Sequence, residues 1–277
     1  MFLPYNSRKS GLSFAKILCG LATLAVSLCT AYGQKKVDVQ KVLENGNYMA
    51  NDLMIDVPGQ NFSILATEVT QELYESVMGK NPSFFRGERN LPVENVSWID
   101  AVSFCNELSK KEGLKPCYSY KENTNTAQWD LYNDEMSKWS ADSWENFNKN
   151  FVCDTTATGY RLPTVKEWKY AAKGGQFFKY NGSDNIDEVA WYDENSEEKT
   201  HLVAQKAPNG YGLYDMSGNV WEWCWDSSPY CGKCRYRCGG SWYDFADGCE
   251  VGIEVWYLAY GTNRDLGFRI VCSSSKK

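Results

Sequence analysis

"YRLPTVKEWKYAAKGG", residues 160–175, carries a full set of helix signals. Thr164 stands where an N-cap accepts from the first turn, and Glu167 follows three residues later as in a capping box. Val165, Trp168 and Ala171 or Ala172 then recur on one face until Gly174-Gly175 stops the pattern. Working outward toward the N-terminus, Ser97 with Asp100 opens a second helix along Ile99, Val102, Cys105 and Leu108, ending before Gly113. Thr70 opens a third, "QELYESVMG", with Gly79 as its stop, and "FSILATEVT" before it alternates like a strand. Toward the C-terminus the chain becomes short aromatic-rich segments between Gly, Pro, Asn and Asp turns, of which "PNGYG" is the sharpest. Early helices followed by short strands, without alternating βαβ units, predict an α+β domain.

Composition agrees with a globular chain: of 277 residues, 43% are apolar, 15% aromatic and 23% charged. Residues 1–16 hold Arg8, Lys9 and Lys16 and no acid, and "ILCGLATLAVSLC" follows, the plan of an export signal too short to span a membrane. Two processing sites fit, small-residue cleavage at Ala31-Tyr32-Gly33 and a lipoprotein box ending at Cys29, and lipidation of Cys29 is preferred. This divides the chain into an export signal (1–33), a polar tether (34–50) and one domain (51–277), with 118–150 as a long surface insertion. Losing three cations and no acid moves the formal charge from -6 to -9, which excludes a nucleic-acid partner.

Nine cysteines follow Cys29, at 105, 117, 153, 224, 231, 234, 238, 249 and 272. In an exported chain they read first as disulfides, and the odd count leaves at least one thiol unpaired within the chain. The cluster Cys224, Cys231, Cys234 and Cys238, which includes "CGKC", also admits a zinc site. His201 is the one histidine, so no Ser/His/Asp triad or histidine-rich metal site is expected, and a structural hydrogen bond is its stronger reading.

Four stretches, "EVTQELYESVMGKNPS", "NLPVENVSWIDAVSFCNELS", "YRLPTVKEWKYAAKGG" and "PNGYGLYDMSGNVWEW", closed by "GGSW" and "LGFRIV", resemble the formylglycine-generating enzyme (sulfatase-modifying factor) family over about residues 60–272. The resemblance implies a C-type lectin fold of the formylglycine-generating-enzyme type, with short helices and irregular antiparallel strands. Enzymes of this family bind copper through two cysteines after the "GGSW" turn. Here the first position is Asp244 and only the second, Cys249, is a thiol, so one of the two soft ligands is missing. Substitution by Cys224 or Cys238 is an alternative that catalytic geometry disfavours, and Asp244 with Glu250 as an acid–base pair reads better as two polar loop residues. The turn "GLYDMSGNVWEW" can hold a calcium ion in the family, which here implies Asp215 by side chain and Met216, Gly218 and Val220 by main-chain oxygen. A metal-free Gly-Asn turn anchoring Trp221 and Trp223 is the equal alternative. A second family calcium site falls on Val189 and Ala190 and is expected to be absent. No cofactor is otherwise required.

Between "GGSW" and "GFR" lies "VGIEVWYLAY", residues 251–260. Alone, it reads as a strand covered on both faces. In the family register this segment is irregular chain over the active-site face, so the resemblance predicts exposed loop, and an exposed aromatic patch marks a binding surface. The pattern is similar to the variable proteins of diversity-generating retroelements, in particular the treponemal variable lipoproteins, with a variable segment at about 236–265. The expected contact residues are Tyr236, Tyr243, Asp244, Phe245, Asp247, Ile253, Glu254, Val255, Trp256, Tyr257, Leu258, Tyr260 and Thr262. The function so implied is non-catalytic binding of a protein or glycan on another cell or host surface, by a protein lipid-anchored at the outer membrane. An exported copper oxidase of the formylglycine-generating type is the alternative.

Overall fold

The computed structural model describes residues 37–273. In chain order the helices are α1 (Val39–Asn45), α2 (Gln71–Met78), α3 (Trp98–Lys111), α4 (Asn133–Met136), α5 (Ala141–Asn150), α6 (Val165–Lys173) and α7 (Ile186–Val189). The strands are β1 (Met54–Asp56), β2 (Phe62–Leu65), β3 (Tyr118–Tyr120), β4 (Phe151–Cys153), β5 (Tyr160–Arg161), β6 (Trp221–Ser227), β7 (Cys234–Cys238), β8 (Glu254–Leu258), β9 (Leu266–Gly267) and β10 (Val271–Ser273). The fold is α+β, as expected. The export signal and Cys29 lie outside the described residues. Among those residues no helix is long and apolar enough to cross a membrane.

The helix starts follow the chemistry of their caps. Thr70 Oγ1 accepts from Leu73 N at 3.2 Å, and Ser97 and Asp100 form a capping box. Thr164 and Glu167 form another, and Gly174 ends α6 in the left-handed conformation that a Cβ disfavours. Glu167 does more than cap, since Arg161 donates to both of its oxygens at 2.7 and 2.6 Å and ties α6 to β5.

Strand β2 pairs with β1 and β10, and β10 pairs with β5, all antiparallel, so Val271 opposite Ile64 closes the C-terminal end of the domain against its N-terminal part. A second sheet runs β8-β7-β6-β9, antiparallel except for the parallel β6–β9 pair. Between these elements Arg269 donates to both Glu222 oxygens at 2.6 Å, and Trp168 Nε1 donates to Glu222 Oε2 at 2.6 Å. Both charges are wholly buried, which is tolerable because each is paired and hydrogen-bonded.

Three expectations need correction. Residues 37–50 are not a tether: α1 buries Val39 and Leu43, four residues apart on one face, and Arg89 and Asn90 donate to Leu43 O. The insertion at 118–150 is not merely surface, because Trp129, Met136, Trp144 and Phe147 are buried, and its three rings join the cluster around Trp98 and Phe151. Nor do the cysteines form a disulfide framework. Cys231 and Cys234 are bonded, while Cys105, Cys117, Cys153, Cys224, Cys238, Cys249 and Cys272 are free, mostly as small buried hydrophobes.

Candidate functional site

The segment from "GGSW" to "GFR" is pinned at a few buried points. Gly240 has φ +73°, and a Cβ there would stand 2.7 Å from Cys249 Sγ and 2.8 Å from Gly248 O, so the turn admits only glycine. Ser241 Oγ donates to Asp244, Asp193 N donates to Asp244 O at 3.0 Å, and Ser217 Oγ donates to Cys249 O at 2.7 Å. Further on, Val251 N donates to Lys179 O, Ala259 N to Lys233 O, and Trp98 N to Ala259 O. Cys249, Val251 and Ala259 are accordingly buried.

Between these anchors the chain is neither the exposed loop nor the doubly covered strand that the sequence suggested. Residues 246–249 form a 3-10 turn, and 254–258 form β8, the edge strand of its sheet. An edge strand hydrogen-bonds on one side only, and its side chains alternate between faces. Glu254 and Trp256 are exposed, whereas Ile253, Val255, Tyr257 and Tyr260 are half-buried and pack against the core, as does Tyr236 on β7. Tyr257 lies 6.2 Å from Trp223 and Tyr260 lies 5.9 Å from Trp144, ring to ring. Asp244 and Leu258 are also half-buried, while Asp247 and Thr262 are exposed. Tyr243, Phe245 and Trp256 expose 63%, 70% and 51% of their surfaces, large values for rings.

Residues that the sequence reading did not single out adjoin this face. Phe84 is 63% exposed and begins a ladder of rings, Phe84 to Phe85 at 5.1 Å, Phe85 to Trp242 at 5.5 Å and Trp242 to Tyr243 at 5.3 Å. The guanidinium of Arg264 lies over Phe84 and Trp242, and that of Arg237 lies over Trp221 and Tyr257 at 4.6 and 5.0 Å. The available sequence signal was one arginine just before "GGSW" and one just before "GFR". Beneath Phe84, Glu94 accepts from Phe85 N at 2.8 Å, and burial pushes its carboxyl up to about 7.

At the turn where the family's copper site is expected, the described residues present one thiol, Cys249, beside the Asp244 carboxyl. Cys249 is fully buried, and burial, reinforced by Asp244, pushes its thiol up to about 12, which keeps it protonated at neutral pH. Asp244 offers a hard oxygen already engaged by Ser241, and Glu250 pairs with Lys179 at 3.1 Å, so the two acids serve the scaffold. Cys224 and Cys238 lie 3.7 Å apart on β6 and β7, side by side but separate from the Cys231–Cys234 bond. Two of the four zinc candidates, Cys231 and Cys234, are bonded to each other, and among the described residues no three or more His, Cys, Asp or Glu side chains gather as a metal site. His201 stacks on Trp191 at 3.8 Å, and its Nε2 is 2.7 Å from Ser196 O, a scaffold role.

Calcium is a different case, since its ligands are oxygens that include main-chain carbonyls. Asp215 Oδ2 accepts from Ala204 N at 2.7 Å, but Oδ1 is buried with no hydrogen-bond partner, an orphan that a hard cation suits. Burial raises the Asp215 carboxyl, and Glu68, itself raised by burial and by Asp215, lies beside it. Of the expected set, Asp215, Met216, Gly218 and Val220, it is Asp215 whose orphan oxygen fits a hard cation; the three carbonyls would complete its shell as the family resemblance implies.

Comparison with known proteins is consistent with this geometry. The model of the "sulfatase-modifying factor enzyme 1-like domain" matches residues 31–274. Chaperone protein LppX of Paenibacillus barcinonensis is 38% identical over 280 residues, covering 91% of this chain and 96% of that protein. The solved structure of Treponema denticola variable protein 1 superposes with a TM-score of 0.68 at 38% identity, covering 80% of this chain and 91% of that one. The inactive C-alpha-formylglycine-generating enzyme 2 of Mus musculus is 32% identical over 136 residues, 42% of this chain and 44% of that protein. The fold is thus the C-type lectin-like fold of this family.

Proposed function

The chain belongs to the sulfatase-modifying factor enzyme 1-like family, and on that premise we propose that it is a non-catalytic ligand-binding protein whose C-terminal segment is diversified by a retroelement. One observation carries the reading: exposed rings, Tyr243, Phe245 and Trp256, are displayed from a backbone whose fixed points are buried elsewhere. Such a face changes its side chains without changing its scaffold, as antibody loops do. The Treponema relative, described as a variable protein, supports it. The name of the Paenibacillus relative, a chaperone, describes another activity exercised by binding.

In this reading the ligand is a protein or glycan on another cell or host surface, met by an exported protein lipid-anchored through Cys29. Asp244 stands where the enzymes carry their first copper-binding cysteine, so the chain lacks the oxidase chemistry. A calcium ion at Asp215, Met216, Gly218 and Val220 is structural. The competing reading is an exported formylglycine-forming oxidase. Incubation with copper and a cysteine-containing sulfatase peptide separates the two. No formylglycine is expected, and turnover that disappears in Cys249→Ser contradicts the proposal.

A further inference from the structure

We infer that the ligand presents carboxylate groups on a polypeptide segment and that Arg237 and Arg264 are the residues that receive them, an inference that rests on the ligand-binding reading above. Most acids at this face are already engaged. Glu254 pairs with Lys169, Glu250 with Lys179, and Asp244 accepts from Ser241. Three acids of the segment thus serve its scaffold, whereas Arg237 has only a long ion pair with Asp265 and Arg264 has none among the described residues. Among the described residues neither the Arg237 nor the Arg264 guanidinium has a hydrogen-bond acceptor. Asp265 Oδ1, at 3.9 Å from Arg237 Nη1, is beyond hydrogen-bond reach and is itself without a partner.

Both guanidiniums are nonetheless held in place. Arg237 is clamped between Trp221 and Tyr257, with its side chain only 15% exposed and Nε and Nη1 occluded, which leaves Nη2 as its open edge. Arg264 rests over Phe84 and Trp242 at 5.8 and 5.3 Å and is exposed. Stacking fixes the plane of a guanidinium: at exposed Arg264 it leaves the N–H fork directed outward for an oxyanion, while at Arg237 only Nη2 is open, to a single carboxylate oxygen. A half-buried arginine without an acceptor is costly in the free protein, and an incoming carboxylate removes that cost. Asp265 competes weakly, because its Oδ1 stands 3.9 Å from Arg237 Nη1, too far for a hydrogen bond.

Carboxylates and phosphates satisfy the same fork, and the neighbouring surface favours the former on a peptide. Phe84, Tyr243 and Phe245 are exposed rings in the same region, suited to apolar side chains flanking the acid, which a free phosphate lacks.

The test is NMR titration of the arginine Nε–Hε resonances in the folded protein with the peptide acetyl-Glu-Trp-Glu-amide. Acetyl-Gln-Trp-Gln-amide, glucuronate and inorganic phosphate are the comparison probes. The acidic peptide is expected to shift the Arg237 and Arg264 resonances saturably, and the glutamine peptide to bind at least about tenfold more weakly. Arg264→Lys, at an exposed position, keeps the charge, loses the fork and is expected to weaken the acidic peptide about tenfold without moving Tm. Arg237→Lys is expected to do the same where it folds. Equal binding of the two peptides overturns acid recognition and leaves the binding face standing. No shift with either peptide, or equal binding of glucuronate or phosphate, overturns the inference outright. The ligand-binding reading fails separately, on invariance of the segment among sibling genes.

Discussion

Trp256 and Tyr257 are neighbours on β8 and face opposite ways: the Trp256 ring is half exposed, while the Tyr257 ring lies 6.2 Å from Trp223 and 5.0 Å from the Arg237 guanidinium. The pleat of one edge strand therefore separates a replaceable side chain from a supporting one. Trp256→Ser is expected to change stability by no more than about 0.5 kcal/mol, and Tyr257→Ser to cost roughly 1–3 kcal/mol. Denaturant melts of the two variants check this, and equal losses would remove the distinction.

Glu222 and Arg269 are the charges on which the interior depends. Removing one partner leaves the other buried and unpaired, so Glu222→Gln or Arg269→Leu is expected to cost about 3–5 kcal/mol. Trp168→Phe removes one donor to Glu222 and keeps the ring, and is expected to cost about 1–3 kcal/mol. Urea unfolding of the three variants gives the order directly.

Stability is expected to fall as pH rises from about 4.5 to 7. Glu94 moves from an ordinary 4.5 to about 7 on folding, so across that window the native state holds a proton that the unfolded chain has released. Its contribution is fully present below the window and lost above it, amounting to roughly 3 kcal/mol at about 1.4 kcal/mol per pKa unit. Glu68 and Asp215, both raised by burial, act in the same direction. Glu167 acts oppositely: burial raises its carboxyl but the Arg161 fork wins and holds it low, so its share is lost only further into acid. Tm at pH 5 should exceed Tm at pH 8, and Glu94→Gln should flatten the profile. Millimolar calcium should restore part of the loss at pH 8, by taking the place of the proton at Asp215. A profile unchanged by Glu94→Gln contradicts the assignment.

Cys249 should be chemically silent. With its thiol buried and raised to about 12, iodoacetamide at pH 8 is expected to leave it unlabelled in the native protein and to label it after denaturation. Mass spectrometry of the peptide containing residue 249 reads this out, and native labelling would show a usable thiolate.

What was legible in the sequence was what local chemistry controls. Thr70, Ser97 and Thr164 open helices because a hydroxyl at that position satisfies an otherwise orphaned N–H, and no tertiary context is needed to see it. α1 escaped notice because two apolar residues, Val39 and Leu43, are its whole buried stripe. β8 was misread in both directions because Val255, Trp256, Tyr257 and Leu258 are apolar on both faces, so periodicity could not say which face meets the core. Arg161 beside Glu167, Arg237 between Trp221 and Tyr257, and the orphan oxygen of Asp215 depend on residues distant in the chain or on turn geometry, and composition carries no trace of them.

Exposed side chains are proposed to vary on a fixed scaffold, and sequencing the gene and its neighbourhood in sibling isolates tests this most directly. The account predicts differences confined to adenine-templated positions in codons such as those of Tyr243, Phe245, Asp247, Glu254, Trp256 and Thr262. A nearby template repeat should be present, with "GGSW", Cys249 and "GFR" unchanged. Identical residues from 243 to 262 in every isolate, or differences spread evenly along the chain, would contradict it.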